Sequence, residues 1–410
     1  ANGLGGAPTW TQLSPTGGPP SARDWQSAVY DPANNLLTVF GGNLAEAFCG
    51  QEANDTWVLS NANGLGGAPT WTQLSPTGGP PSARDWQSAV YDPANNLLTV
   101  FGGNLAEAFC GQEANDTWVL SNANGLGGAP TWTQLSPTGG LPSARGGHSA
   151  VYDPTSNRMI MFGGTGSCSA QNNEVWVLEH SNGLGGTPNW IQLSPSGTQP
   201  ALAFHKAVYD SMTNRMIIFG GSVPSAVSVL SNANGLGGTP TWTQLTPGGA
   251  VIPARAVHSA AYDPATNKMI VFAGCCSGTP SPFLNDTWVL SNANGLGGAP
   301  TWTQLSPTGG PPGPRQAHAA VFSVATNRMT VYGGGGCCPG FPFNDVWVLT
   351  DANGTVLFAA FAPKVEITLG PLANDDEFEV KATLTLGTST DGCLASIRFE
   401  GWRQLELRGP

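Results

Sequence analysis

The sequence predicts an all-β protein: a closed ring of six four-stranded sheets, a β-propeller, followed by a small β-rich module. Three observations carry this. Residues 1–61 recur unchanged as residues 62–122, and four diverged copies follow, beginning at Ala123, Ser181, Ala233 and Ala293. Each copy holds four short β-rich runs separated by turn signals. The chain opens with a lone fourth run and its sixth copy stops after the third run, so the opening segment is expected to complete the last sheet. The expected boundaries are a propeller over residues 1–351 and a C-terminal module over residues 352–410.

The elements follow in order from the first copy. QSAVY (Gln26 to Tyr30) and LLTVF (Leu36 to Phe40) flank DPANN, whose Pro and Asn suit a tight reversal, so they form a hairpin. Gly41-Gly42 ends the second run, and a long polar segment leads to the third run, TWVLS (Thr56 to Ser60). NANGLGG then leads to the fourth, TWTQL (Thr70 to Leu74). Trp10, Trp71, Trp132, Trp190, Trp242 and Trp302 mark six fourth runs, and the other three also occur six times. A sheet of this size has two faces to bury, and closure into a ring buries both. Trp57, Trp118, Trp176, Trp288 and Trp347 on third runs are expected to pack between sheets rather than bind ligand.

With 56 Gly and 34 Pro but 40% apolar residues and 14 Trp, the chain is expected to be ordered. A net charge of -11 and only 10% charged residues oppose binding to nucleic acid or anionic lipid. No apolar run approaches the roughly 20 residues of a membrane span, so no membrane insertion is expected. The eight cysteines include adjacent pairs and show no metal-ligand spacing. Cys49, Cys110, Cys168, Cys275, Cys276, Cys337 and Cys338 are disulfide candidates in an oxidising compartment. Asn54, Asn115 and Asn285 fit the N-glycosylation acceptor pattern and equally a strand-starting turn. Together these favour an extracellular or cell-surface location. The opening at Ala1, already inside a repeat, reads as a mature end or a fragment.

An Arg before a short strand, a second strand ending in Gly-Gly, and Trp-bearing third and fourth strands resemble the kelch repeat. RGGHSAVYDPTSNRMIMFGG (Arg145 to Gly164) followed by NEVWVL is the most typical copy, and the likeness covers residues 1–351. The resemblance implies a six-bladed kelch-like propeller whose innermost strand is the first of each blade. It also implies binding on the face carrying the loops between strands two and three and between blades. Activity within the family varies, so the fold leaves it open.

Arg23, Arg84, Arg145, Arg255 and Arg315 precede inner strands and could hold an anion around a channel. The alternative is a structural ion pair in each blade, with Asp55, Asp116, Glu174, Asp286 and Asp345, two residues before the third-strand Trp. Blade four has Leu202 and Ala226 instead, losing both partners together, which favours the pair. His148, His205, His258 and His318 share one repeat position with Gln26 and Gln87, so a neutral hydrogen-bonding group is expected there and no shared metal. The resemblance also raises the galactose oxidase copper site. Tyr30, Tyr91, Tyr152, Tyr209 and Tyr262 all lie in the repeated hairpin, however, and supply no singular ligand set. Nucleophile-elbow, H-E-x-x-H and phosphate-loop motifs are also missing, so the expectation is a non-enzyme without a cofactor.

The candidate ligand patch lies in copies one and two: Asp24, Trp25, Glu46 and Glu52, with Asp85, Trp86, Glu107 and Glu113. Aromatic faces beside carboxylates suit sugar rings and their hydroxyls. From Val356 the alternating runs KVEITL and EFEVKATLTL suggest a small β-sandwich-like unit that packs on the propeller or pairs with another chain. The expected function is a non-catalytic module binding a glycan or protein ligand through the loop face. The alternative is a structural subunit of an assembly, a homo-oligomer joined through residues 352–410. A kelch-type oxidase is disfavoured.

Overall fold

The computed structural model describes residues 7–44, 51–105, 112–166, 171–221, 226–276, 283–335 and 342–355. Each repeat folds into an antiparallel sheet whose strands pair in chain order; in the first blade these are Ser27–Asp31, Leu36–Phe40, Thr56–Ser60 and Thr70–Gln73. Six such blades surround a central channel. The inner strands, from Ser27–Asp31 in blade one to Ala319–Ser323 in blade six, touch one another in a closed cycle. Among the described residues the sole helical element is the 3-10 turn Val324–Thr326.

Turn chemistry shapes each inner hairpin. Asp31 Oδ1 accepts the Ala33 N–H at 2.9 Å, and Asn35 adopts φ +55°, a left-handed conformation that Asn tolerates. Tyr30 donates its hydroxyl to Asn35 Oδ1 at 3.1 Å, and the same bond recurs for Tyr91, Tyr152, Tyr209 and Tyr262. The repeated tyrosines therefore serve the turn.

Three cycles of contacts join neighbouring blades. In the first, an aromatic at the end of each second strand meets the outer-strand Trp of the next blade at 4.8–5.0 Å: Phe40–Trp132, Phe101–Trp190, Phe162–Trp242, Phe219–Trp302, Phe272–Trp10 and Tyr332–Trp71. Such pairs add about 0.5–1.5 kcal/mol each beyond the area they bury. In the second, the N–H of the second glycine after each second strand donates to the next blade's backbone. Gly42 donates to Arg84 O at 2.9 Å, and Gly334 closes the circle on Arg23 O at 3.0 Å. Gly42 has φ +101°, and a Cβ there would sit 2.8 Å from Asp24 O, so the position admits only glycine. In the third, an Asn after the third strand reaches back one blade to a buried Asp, as Asn124 does to Asp31 Oδ2 at 2.7 Å.

The opening segment completes the ring. Thr9–Leu13 pairs with Val346–Thr350 in continuous register from Thr9↔Thr350 to Leu13↔Val346, giving blade six its outer strand. Each outer edge is in turn covered by the connector from the preceding blade through a short parallel bridge, such as Thr16↔Thr70 and Thr9↔Thr308. Among the described residues every outer strand is thereby bridged by a neighbouring connector.

Two details of the ring extend the repeat pattern. Residues 7–355 form one compact unit. Ala352 is fully buried and Asn353 bonds Asp263 at 2.7 Å, so the last interblade contact is made just after the final strand, Val346–Thr350. The second strand stops before Gly41-Gly42 in blade one, Leu36–Phe40, whereas in blade two the same residues continue as one strand, Leu97–Leu105, through a bulge between Phe101 and Gly103. The expected tail module, from Val356 on, lies outside the described residues.

Candidate functional site

In five of the six blades the connector entering the inner strand is anchored by a buried arginine. Arg23, with 0% exposure, places Nη1 and Nη2 2.6 and 3.0 Å from Asp55 Oδ1 and Oδ2. Its remaining donors reach Gly41 O at 2.9 Å and Ser21 O at 3.1 Å. Arg84–Asp116, Arg255–Asp286 and Arg315–Asp345 repeat this fork with shortest contacts of 2.6–2.7 Å, and Arg145 pairs with Glu174. The third-strand Trp donates to the same carboxylate, as Trp57 Nε1 does to Asp55 Oδ2 at 2.6 Å. Burial pushes the Asp55, Asp116 and Asp286 carboxyls up, but the hydrogen bonds and charge of the partner Arg outweigh it and hold them below the usual range. Folded pKa values below the unfolded ones mean that this stabilisation is present above the ordinary carboxylate pKa and is lost as the pH falls through the folded value. Leu202 fills the arginine position of blade four and is itself buried. These guanidinium groups are spent on the scaffold and do not line the channel.

Above each anchor the chain reaches the channel mouth through Trp25, Trp86, Gly147, Phe204, Val257 and Ala317, all with φ between 55° and 64°. Left-handed backbone is rare for bulky or β-branched residues, and its clustering here marks a position over-determined by its surroundings. A girdle of backbone hydrogen bonds holds it: Trp25 to Ala317, Gly147 to Trp86, Phe204 to Gly147, Val257 to Phe204 and Ala317 to Val257, at 2.8–3.1 Å.

Three of these side chains converge over the opening. Ring centroids lie 5.4 Å apart for Trp25–Trp86, 5.4 Å for Trp25–Phe204 and 5.0 Å for Trp86–Phe204. Phe204 comes from blade four and crosses the space left by Gly147, where a Cβ would meet its ring at 2.7 Å. Trp25 and Trp86 were expected to present free faces; instead they pack on each other and on Phe204, all three half-buried, roofing a cavity of about 50 Å³. Phe204 was missed by sequence reasoning. Its signal was the register of AFH (Ala203–His205) against the Asp-Trp-Gln of copies one and two.

Strand pairing sets the acids beside this roof. Asp24 lies across from Asn43, and Asn43 across from Glu52. In blade two Asp85, Asn104 and Glu113 repeat the row. Burial raises the Asp24 carboxyl to about 6. Burial, with the charges of Glu52 and Asp24 added, raises that of Asp85 to about 7. Asp24 Oδ1, Asp85 Oδ1 and Glu52 Oε2 are buried without a hydrogen-bond partner. Glu46 and Glu107 lie outside the described residues, as do Cys49, Cys110, Cys168, Cys337, Cys338 and the side chain of Cys276. Cys275 is half-buried with Sγ 3.7 Å from Ala256 O.

The sign of the Asp85 shift makes a prediction. A folded pKa raised from 3.8 to about 7 means the native state holds a proton that the unfolded state has lost, so this group's contribution to stability falls as the pH rises from 4 to 7. Asp85→Asn, which mimics the protonated carboxyl, is expected to raise Tm at pH 8 by an amount worth a few kcal/mol. The gain shrinks as the pH falls through 7 and disappears below the ordinary carboxylate pKa. Thermal melts of the pair across pH 4–8 check this; a gain independent of pH contradicts it.

The shared histidine position serves neighbouring blades. His148, His205 and His318 place Nε2 2.7–2.8 Å from Ser88, Ser149 and Ser259 Oγ of the preceding blade, and Gln87 Nε2 lies 3.3 Å from Ser27 Oγ. Among the described residues no group of three or more His, Cys, Asp or Glu is arranged to hold a metal.

Comparison with known proteins places this geometry. The Attractin/LZTR1 beta-propeller pattern matches residues 128–335, and the KLHDC2/KLHL20/DRC7 Kelch-repeats pattern matches residues 7–125 and 66–182. Adagio-like protein 1 of Oryza sativa subsp. japonica is 26% identical over 367 residues, covering 85% of this chain and 51% of that protein. Multiple epidermal growth factor-like domains protein 8 of Homo sapiens is 29% identical over 285 residues, 65% of this chain and 9% of that protein. The chain thus spans about half the length of the first relative and a small part of the second. The structure of YjhT superposes with a TM-score of 0.57 at 14% identity, over 81% of this chain and 95% of that one, a likeness of fold alone.

Proposed function

The chain belongs to the Attractin/LZTR1 β-propeller family of kelch-repeat proteins, and from that membership we propose that it is a non-catalytic binding module that recognises a protein or glycan through its loop face. Kelch propellers typically mediate protein binding, which supports the general reading. The observation that carries the particular one is the roof of Trp25, Trp86 and Phe204 beside the Asp24–Glu52 and Asp85–Glu113 rows. Rigid aromatics next to carboxylates offer contact area at low entropy cost together with directional hydrogen bonds. An extracellular or cell-surface location is part of the same proposal, supported by the eight cysteines and the low fraction of charged residues. So is self-association through residues 352–410, which concentration-dependent sedimentation of the full chain would reveal.

Immobilised full-length protein is expected to give a reproducible profile on combined glycan and protein arrays. Trp25→Ala with Trp86→Ala, and Phe204→Ala by itself, are each expected to reduce the strongest signals at least tenfold with the fold retained by circular dichroism. An unchanged profile in both variants removes the channel mouth as the binding surface.

A further inference from the structure

The inner strands open on Ser27, Ser88, Ser149, Lys206, Ser259 and Ala319, and these first residues line a central cavity of about 140 Å³. Four positions present hydroxyls and one a methyl. Blade four alone presents an ammonium. Its neighbours in the lining are Gln26, Gln87, His148, His318 and alanines, all uncharged or neutral at ordinary pH, since burial holds His148 at about 3 and His318 well below its usual range. Among the described residues no carboxylate pairs with Lys206.

Lys206 also breaks a structural pattern. In three other blades the residue at this position bonds a histidine of the next blade, as Ser149 bonds His205 at 2.7 Å. With Lys206 in place of serine, His258 is fully buried and neither ring nitrogen has a partner. Such a buried orphan is costly, so the substitution weakens the blade four–five junction unless the lysine does something else. Lys206 is solvent-exposed and lines the channel, where the packed protein around it lowers its pKa. Nothing in the lining offsets this ammonium, so the channel presents an unbalanced positive charge beside hydroxyl donors.

We propose that the central channel is a binding site for a small anion of halide or carboxylate size, held by Lys206 Nζ with the inner-strand serine hydroxyls as further donors. The cavity has room for such an ion with part of its hydration. In the tautomer that donates from Nε2, His148, His205 and His318 each give a hydrogen bond to their serine, leaving the serine hydroxyl proton free for the anion. The aromatic roof of Trp25, Trp86 and Phe204 covers one mouth and excludes large anions from that side. The net charge of -11 supplies no long-range attraction for anions, so recognition is local and millimolar concentrations are appropriate.

Lys206→Ser tests this in the full chain. Serine is the residue that four other blades use, so the variant is expected to fold, and it restores a hydroxyl opposite His258. Tm would be measured with sodium chloride, bromide or acetate replacing sodium gluconate at constant ionic strength. In the parent Tm is expected to rise by a few degrees and to follow the logarithm of the small-anion concentration, as for any ligand of the native state alone. The variant is expected to show no such dependence and, in gluconate, to be the more stable of the two. Bromide-soaked crystals are expected to give an anomalous peak beside Nζ in the parent only. Equal salt responses in parent and variant, or bromide found only elsewhere, would overturn the proposal whatever the outcome of the partner-binding arrays.

Discussion

Deletion of residues 1–20 is expected to have the largest effect of any change considered, converting a closed ring into one with an unfilled place in blade six. The segment supplies the five-residue strand Thr9–Leu13, whose removal leaves Val346–Thr350 as an open edge. It also removes Trp10, 2% exposed, from its place against Phe272, Met329 and Leu349. Burying a Trp and its neighbours contributes several kcal/mol, and loss of such a side chain from a core costs about 3–5 kcal/mol before the strand's hydrogen bonds are counted. Since domain stability is of order 5–15 kcal/mol, the truncated chain is expected to be near unfolding at 37 °C and to aggregate through the exposed edge. Size-exclusion chromatography with light scattering checks this. A truncated protein as stable and monomeric as the parent would show that closure contributes little.

Arg84→Ala is expected to destabilise the protein by about 3–5 kcal/mol. The guanidinium is fully buried, contacts both oxygens of Asp116 at 2.6 and 3.0 Å, and satisfies Gly102 O at 2.9 Å. Its removal leaves a half-buried carboxylate charged and without its main partner. In an Asp116→Ala background that charge is gone, so Arg84→Ala is expected to cost distinctly less, and denaturant unfolding of the four proteins measures the coupling. Equal costs in both backgrounds would mean that the two side chains act independently. The same cycle for Arg145 and Glu174 is expected to give a coupling of the same sign.

Much of the ring was legible because repetition makes counting informative. Six TWTQL-type runs, one of them stranded before the first full repeat, required closure by the opening segment, and Thr9–Leu13 pairs with Val346–Thr350. The Arg and acid positions recur in step and drop out together at Leu202 and Ala226, and where both occur their charged atoms meet. Trp25 and Trp86 could be singled out because copies one and two alone carry them. Phe204 could not, because its partners lie 118 and more residues away and meet it only across the closed channel. Lys206 stands out only once the ring places it in one lining with the inner-strand serines. The serine–histidine latches escaped for a related reason: each joins adjacent blades, and a pattern read within one repeat does not show which neighbour it serves.

What the chain's letters determined unaided was the unit, its number and its closure, since turn residues, strand periodicity and repeat spacing are local properties that each copy states again. What tertiary structure decided was the surface and the channel. Both are assembled from one residue per blade, and contacts between residues far apart in sequence exist only once six sheets have been bent into a circle. The aromatic roof and the lone ammonium beneath it are products of that geometry, which no single repeat contains.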